Sequence, residues 1–526
     1  MDASIEVWAL RGHYFLAVPH LLQTLPLPSQ LQQVACPQFL LPLPPQVGQV
    51  TSNRPSQRFG SCAGMLPTLL SQDMQSAKFL ELSYYDFFQN LNASLSIFAK
   101  DDSFHIQLSN MFVVDLNSRR LEDYAQVAGA VSLDELRASA KTLRKTKIVE
   151  INATANGGGV AELLQAQMPL SRDMDINYRW WVLPPNDDFF AITKNLHNCL
   201  QGQCGLPFDG HISYYQKYLD RIAKKIPHDA DLYVLHDPQT LGLAKYLKHK
   251  KLIWRCHIDL TEADPAALAW LEGFYPAFDK VIFSLEAYIT GLTHDRVSIV
   301  HPAIDPLSEK NKPIDELRAK AIARGLGIDI NRPYLLQVSR FDKFKDPLGV
   351  LELYAATKKL IPDLQCVFMG NYATDDPEGY PLYQALKRRA RELDGEDIVI
   401  ITEHNDVAVN ALQRLASVVI QNSTKEGFGL TVTEAMWKGK IVFSHPVGGI
   451  ALQVINNKTG FYLSGSRARD AKKIADVVKN PKKYQGMASA AKDHVAKNFL
   501  ITTMMRDYLD VYSEVLAAKA VEASKI

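Results

Sequence analysis

Two glutamates stand eight positions apart around a Gly-Phe-Gly bend in KEGFGLTVTEAMWKG, residues 425–439. Just upstream, SVVIQNS is a short apolar run that reads as a buried strand, which puts the bend in the loop at its carboxyl end. LTVTEAMWKGK reads as a helix whose first turn offers unpaired N–H groups, a ready seat for phosphate. Gly427 and Gly429 let the backbone approach a ligand with no Cβ in the way. Glu426 could hold hydroxyls on one part of that ligand and Glu434, one turn into the helix, hydroxyls on another. A sugar nucleotide with its phosphates between them has this shape. Alone, the pair is explained more plainly by a solvated Glu426 and a helix-face Glu434, so other residues must decide.

QVSRFDKFKDPLGV supplies two of them. Arg340 and Lys345 lie in a loop after a strand, and Asp346-Pro347 reads as an N-cap followed by proline at the first helical position. Two cations at a strand end can neutralise a departing diphosphate, Arg340 as a bidentate fork and Lys345 as a point charge. A third feature is EINATANGGGVAELL, a strand, a loop of three glycines (157–159) and a helix, which allows close approach to phosphate or sugar. VLHDPQ and WRCHIDL end two further strands on His236-Asp237 and His257-Ile258-Asp259. One buried histidine is ordinary; two polar clusters at adjacent strand ends are harder to dismiss.

These groups need elements to hold them. From about Ile148 short β-branched runs alternate with helical stretches: KIVEINAT then VAELLQAQM, DLYVLHD then LGLAKYLKH, KLIWRCHID then PAALAWLEGF. The alternation predicts βαβ units and a parallel sheet covered on both faces, a first α/β domain over 148–305. A charged segment, 306–332, reads as a linker carrying a helix. The pattern restarts with PYLLQVSRF, LQCVFMGN, DIVIIT, SVVIQNS and KIVFSHP, a second α/β domain over 333–500, and 501–526 is a final helix expected to cross back to the first. Ligands of such sheets bind at the carboxyl ends of strands, so the site is expected in the cleft between two doubly wound domains.

The 526 residues exceed one core of usual size. Lys+Arg and Asp+Glu balance at 58 and 57 with no long single-sign block, which gives no footprint for nucleic acid or an anionic membrane. No apolar run is long enough to span a bilayer. Six scattered cysteines without a CxxC pair suggest neither a disulfide framework nor a zinc site, and a cytoplasmic protein is the default. Residues 13–53 lack Asp, Glu, Lys and Arg and are crowded with Gln, Pro and Leu. Residues 1–75 are therefore expected to be a disordered or mispredicted leader, with Met65 or Met74 as the start, and 76–147 an extension packing on the first domain.

KEGFGLTVTEA resembles the E-x7-E signature of the retaining glycosyltransferases of family four, which have the two-domain GT-B fold, and QVSRFDKFKDP resembles their phosphate-binding loop. More narrowly, INATANGGGVAELL, FFAITKNLHNCLQG, HDPQ, LIWRCHID, QVSRFDKFKDPLGV and STKEGFGLTVTEAMWKGK together resemble the trehalose glycosyltransferring synthases and, less closely, the trehalose phosphorylases, from about Arg120 onward. The resemblance implies that Glu426 holds donor glucose hydroxyls, that the backbone of Gly427, Phe428, Gly429 and Leu430 lines sugar and phosphates, and that Glu434 holds the ribose. Arg340 and Lys345 would stabilise the leaving diphosphate in place of a metal, so neither a metal nor another cofactor is expected. Gly158 and Gly159 would close over the substrates, His257 would contact the donor sugar and Asp237 the acceptor.

The implied reaction is reversible glucosyl transfer from a nucleoside diphosphate glucose, with ADP-glucose as the expected donor, to free glucose, giving α,α-trehalose. Assembly as a homodimer is compatible with it. A trehalose phosphorylase is the nearest rival, with inorganic phosphate or glucose 1-phosphate in place of the nucleotide. A dinucleotide-dependent oxidoreductase ranks low, because NGGGVAE lacks the GxGxxG spacing and YRWWVLPP ends without an acidic residue. A non-catalytic sugar-binding protein on the same frame is the alternative of another class.

Overall fold

The strand KIVEIN, Lys147–Asn152, is buried almost throughout, and so are Leu232–His236, Lys251–Arg255 and Lys280–Phe283. Strands without an alternating polar face must be covered on both sides, which favours a parallel sheet with helices on each face. The computed structural model builds that sheet. It describes residues 119–127, 131–155, 159–205, 212–370, 379–403 and 405–523, with the strand stretches 6–10, 13–17, 95–100, 103–108 and 112–113.

In the first lobe the strands run in the order Val297–Ile299, Lys280–Phe283, Lys251–Arg255, Leu232–His236, Lys147–Asn152, Asn177–Val182. The central pairs are parallel, with Ile148 opposite Leu232 and His236 opposite Arg255. That last register sets His236-Asp237 beside Cys256-His257 at the carboxyl edge of the sheet.

The second lobe repeats the plan. Its strands run in the order Ile398–Ile401, Gln365–Met369, Tyr334–Val338, Val418–Gln421, Val442–Ser444, Phe461–Tyr462, all parallel to their neighbours. Each face carries its own apolar cluster: Leu336, Val419, Val432 and Met436 on one, Leu335, Ile420, Phe443 and Ile474 on the other. Within 306–332, the helix Glu316–Gly325 is capped by Asp315 and sends Ala323 into the first of these clusters.

The chain passes between the lobes twice at one place. Ile304 takes an N–H···O bond to Phe499 and accepts one from Ile501, both 2.9 Å, so the outgoing and returning strands are tied side by side. The returning helix, Ile501–Ala523, then lies on the first lobe. Tyr508 accepts a hydrogen bond from Arg255 Nε at 2.9 Å, Tyr512 donates to Glu150 at 2.6 Å, and Glu514 pairs with Lys280 at 2.6 Å. Both lobes belong to one compact unit, Leu116–Trp181 with Ala191–Ile526.

Over the leader expected at 1–75, only the antiparallel hairpin Glu6–Leu10 with His13–Ala17 is among the described residues; the rest lies outside them. A second hairpin pairs Leu95–Lys100 with Ser103–Leu108. No helix among the described residues is long and apolar enough to cross a membrane.

One expectation is corrected. The cysteine spacing suggests no disulfide framework, yet Cys199 and Cys204 are joined by a disulfide. The helix Asp187–Leu200 ends there, and Gly202, at φ +79°, turns the chain back so that the two Cα atoms stand 4.2 Å apart. A search for CxxC spacing misses a pair that straddles a helix end. Cys256 and Cys366 are free and buried.

Candidate active site

The buried strand Val418–Gln421 delivers the bend at 422–430 to the mouth of the cleft. Glu426 Oε2 lies 2.6 Å from Lys345 Nζ, 3.3 Å from Ser423 Oγ and 3.4 Å from Gln421 Nε2. Both members of the ion pair are largely covered, at 15% and 13% side-chain exposure, so the pair is a fixed part of the site. Its backbone is gripped from both lobes. The Gly427 carbonyl accepts from Tyr288 Oη of the first lobe at 2.8 Å, and a Cβ on Gly427 would come 3.3 Å from the His257 carbonyl oxygen. Phe428 is buried against Phe499 and His301, and its carbonyl accepts from Gln453 at 2.6 Å. Gly429, at φ +86°, takes the left-handed turn that starts the helix Leu430–Trp437.

The cation loop is built as a companion to this bend. It leaves the strand Tyr334–Val338, and Lys345 closes a short 3-10 turn, Lys343–Lys345. The Lys345 carbonyl accepts from Gln337 at 2.7 Å, and the Phe344 carbonyl accepts from the Thr424 N–H at 2.8 Å. Asp346 caps the helix Pro347–Lys358 through the Gly349 N–H at 2.9 Å and accepts from Asn422 at 2.7 Å. It does so at φ +40°, a left-handed conformation costing a non-glycine residue about 1–3 kcal/mol, of the kind that persists where surrounding bonds over-determine it. Arg340, by contrast, is 52% exposed and pairs with Asp342 at 3.7 Å. Burial first, then the cations Lys194 and Arg340, hold His197 down to about 4, against a hydrogen bond with Gln201.

On the first lobe, Asp237 stands at φ +56° and accepts the His257 backbone N–H at 2.8 Å. Burial pushes its carboxyl up to about 6, against that hydrogen bond and the nearby His236 and Arg255. His257 Nε2 lies 3.1 Å from His236 Nδ1. Burial, then Arg255 and His236, hold His257 well below the usual histidine range, which keeps the ring neutral.

Gly159 opens the helix Gly159–Asp173, and a Cβ there would stand 3.8 Å from Leu430, so the two helix N-termini meet across the cleft. Gly158 lies outside the described residues. Glu434 is not in contact with Glu426. It is 2% exposed, accepts from Gln413 at 3.4 Å, and burial raises its carboxyl against the pull of Lys310, which itself pairs with Glu162 at 2.8 Å.

The structure thus brings Lys345, Glu426, Gly427, His257 and Asp237 into one connected set, with Gly159 and Leu430 beside each other and Glu434 in a cluster of its own. The pattern described as the trehalose synthase N-terminal domain matches residues 150–290, and that of the glycosyl transferases group 1 matches 319–494. The chain is 39% identical over 404 residues to a trehalose synthase of Thermococcus litoralis, covering 75% of this chain and 96% of that one. It belongs to the trehalose synthase family. A trehalose phosphorylase of Pleurotus pulmonarius is a more distant relative, 26% identical over 497 residues, 84% of this chain and 67% of that one. Among solved structures, the Anabaena protein Alr3699/HepE in complex with UDP and glucose shares the fold, with a TM-score of 0.55 at 16% identity over 70% of this chain and 100% of that one. The two α/β lobes form a GT-B fold, also seen in trehalose-phosphate synthase. As a trehalose synthase family member, the chain is a retaining glycosyltransferase that uses a nucleoside diphosphate glucose to form trehalose.

Two participants, Tyr288 and Glu150, were not singled out in the sequence, and a third, His236, was given no role of its own. Tyr288 gave no signal, because a tyrosine after a strand is ordinary. His236 was visible only as a neighbour of Asp237. Glu150 did carry a mark: a carboxylate inside KIVEIN, a strand otherwise apolar at every buried position but the last.

Proposed function

We propose that the donor is ADP-glucose, that the acceptor is free glucose, and that the named residues act as follows. Glu426 accepts hydrogen bonds from hydroxyls of the donor glucose while the backbone from Gly427 to Leu430 lines sugar and phosphates. Glu434 holds the ribose. Arg340 and Lys345 face the diphosphate, His257 the donor sugar and Asp237 the acceptor. The bond between C1 of the donor glucose and the diphosphate oxygen breaks, a bond from C1 to the acceptor oxygen forms on the same face, and the acceptor proton passes to the departing phosphate oxygen. No protein nucleophile is needed, and the work of the site is positioning and charge stabilisation.

The observation that carries this reading is the Lys345–Glu426 contact at 2.6 Å, at the start of the helix Leu430–Trp437 and next to the His257 backbone. A carboxylate for sugar hydroxyls and an ammonium for phosphate are there held together beside unpaired helix N–H groups. Before the donor arrives the carboxylate balances the ammonium; once it is bound, the diphosphate competes for that positive charge.

The purified chain incubated with glucose and each of ADP-, UDP- and GDP-glucose should give α,α-trehalose, detected by NMR of the anomeric protons, fastest with ADP-glucose. Trehalose with ADP should return sugar nucleotide, and trehalose with phosphate should return nothing. Glucose 1-phosphate from the last mixture would overturn the reading in favour of phosphorolysis. Residence in the cytoplasm belongs to the same proposal, and there the Cys199–Cys204 bond would stand reduced.

A further inference from the structure

Glu150 is fully buried in the middle of the first lobe, and four side chains converge on its carboxylate. Oε1 accepts from the Tyr178 hydroxyl, from Tyr512 Oη at 2.6 Å and from Gln167 Nε2 at 3.2 Å. Oε2 lies 2.7 Å from His236 Nε2. Gln167 Nε2 is a donor only, and a carboxylate that gathers such partners acts as an acceptor toward each. His236 Nε2 therefore carries a proton and donates it. In a neutral imidazole the other nitrogen is then an acceptor, and His236 Nδ1 faces His257 Nε2 at 3.1 Å. The proton in that contact belongs to His257 Nε2, which leaves Nδ1 of His257 with a lone pair.

We propose that Glu150 and His236 are positioning residues that fix His257 as its Nε2–H tautomer, so that Nδ1 accepts a hydrogen bond from a hydroxyl of the bound sugar. This rests on the reading that His257 meets the sugar. The arrangement is directional: the carboxylate decides one tautomer and that tautomer decides the next, as in other sites where a buried acid orients an imidazole. Burial of His257 keeps its ring neutral, as the assignment requires. The backbone on either side is fixed as well, the N–H on Asp237 at 2.8 Å and the carbonyl against Gly427. With the backbone held there, a flip of the ring would break its 3.1 Å contact with His236. An acceptor nitrogen reads a hydroxyl on the ligand and rejects a sugar that lacks it, because the nitrogen is then left unpaired.

Histidine 15N–1H correlation spectra of the folded, ligand-free protein test the assignment directly, with the His236→Phe variant used to identify the signals. Both His236 and His257 should show a protonated Nε2 and a bare Nδ1. In Glu150→Gln, His257 should become a mixture of tautomers, with turnover lowered roughly ten- to a hundredfold, as when the group orienting a working imidazole is lost. Tyr512→Phe, which leaves the carboxylate in place, should keep the His257 tautomer. Nδ1–H on His257 in the wild-type protein would overturn the proposal, as would an unchanged His257 spectrum in folded Glu150→Gln. Should Glu150→Gln not fold, the wild-type spectrum alone decides. A protein with the expected tautomers that makes no trehalose would sink the proposed reaction and leave the relay standing; trehalose synthesis with the opposite tautomer would do the reverse.

Discussion

Tyr288 Oη lies 2.8 Å from the Gly427 carbonyl oxygen and 3.2 Å from that of Glu426, so one hydroxyl of the first lobe holds the backbone of the sugar-facing bend in the second. Tyr288→Phe keeps the ring and removes the donor. It should cost about 1 kcal/mol of stability, the usual net worth of one hydrogen bond. It should also raise KM for the sugar nucleotide more than it lowers kcat, since the bend is loosened while the cations stay. Thermal melts and steady-state kinetics measure the two; unchanged values in both would remove Tyr288 from the site.

Gly448 underlies the same bend. At φ +48° a Cβ would fall 1.7 Å from the Glu426 carbonyl oxygen and 2.7 Å from Tyr288 Oη. Gly448→Ala adds backbone strain on the order of 1–3 kcal/mol and forces Glu426 to move. Denaturant unfolding should show the loss of stability, and adding Tyr288→Phe should not restore it, because the closer clash is with backbone.

Arg340 is half exposed and pairs with Asp342 only at 3.7 Å, a weak hold on its charge when the donor binds. Arg340→Ala should lower turnover by roughly a hundred- to a thousandfold, as for a lost oxyanion-type donor. Near-normal rates would mean that Lys345 and the helix N-terminus suffice.

Asp237 gives a pH dependence of stability. Burial raises its folded carboxyl to about 6, above the unfolded value. Below about pH 4 both states are protonated and the burial of the charge costs nothing. As pH rises through about 6 the folded group ionises too, and stability is lost across that window. Asp237→Asn keeps an oxygen for the His257 N–H and cannot ionise. It should match the wild type near pH 4 and exceed it by on the order of 2 kcal/mol above neutrality, read from melts across pH. A constant difference would mean that the carboxyl is not desolvated.

Much of this was legible in the chain because the periodicities are strong. Apolar runs such as DLYVLHD and SVVIQNS can only be strands covered on both faces, and Asp346-Pro347 marks a helix start by chemistry that has few other uses. The bend at Glu426 and the cation at Lys345 were found as separate loops; that they form one ion pair is a matter of loop register, which no spacing in the sequence encodes. The Glu150–His236–His257 chain was hidden for a different reason. Its members sit 86 and 21 positions apart and meet through strand order, and a lone glutamate in a strand does not say which histidine it will face. The Cys199–Cys204 pair was missed because a five-residue separation across a helix end has no familiar pattern.

The Tyr512 hydroxyl that completes the ring of donors around Glu150 comes from 362 positions further along the chain. While the protein is being synthesised, the first lobe emerges early and must wait for the whole of the second before its central buried carboxylate gains that partner. Local contacts cannot close this gap, and long-range closures are the slow ones. The part of the protein made first thus depends on the part made last, and loss of the last two dozen residues to a premature stop codon would remove a partner from its central buried carboxylate.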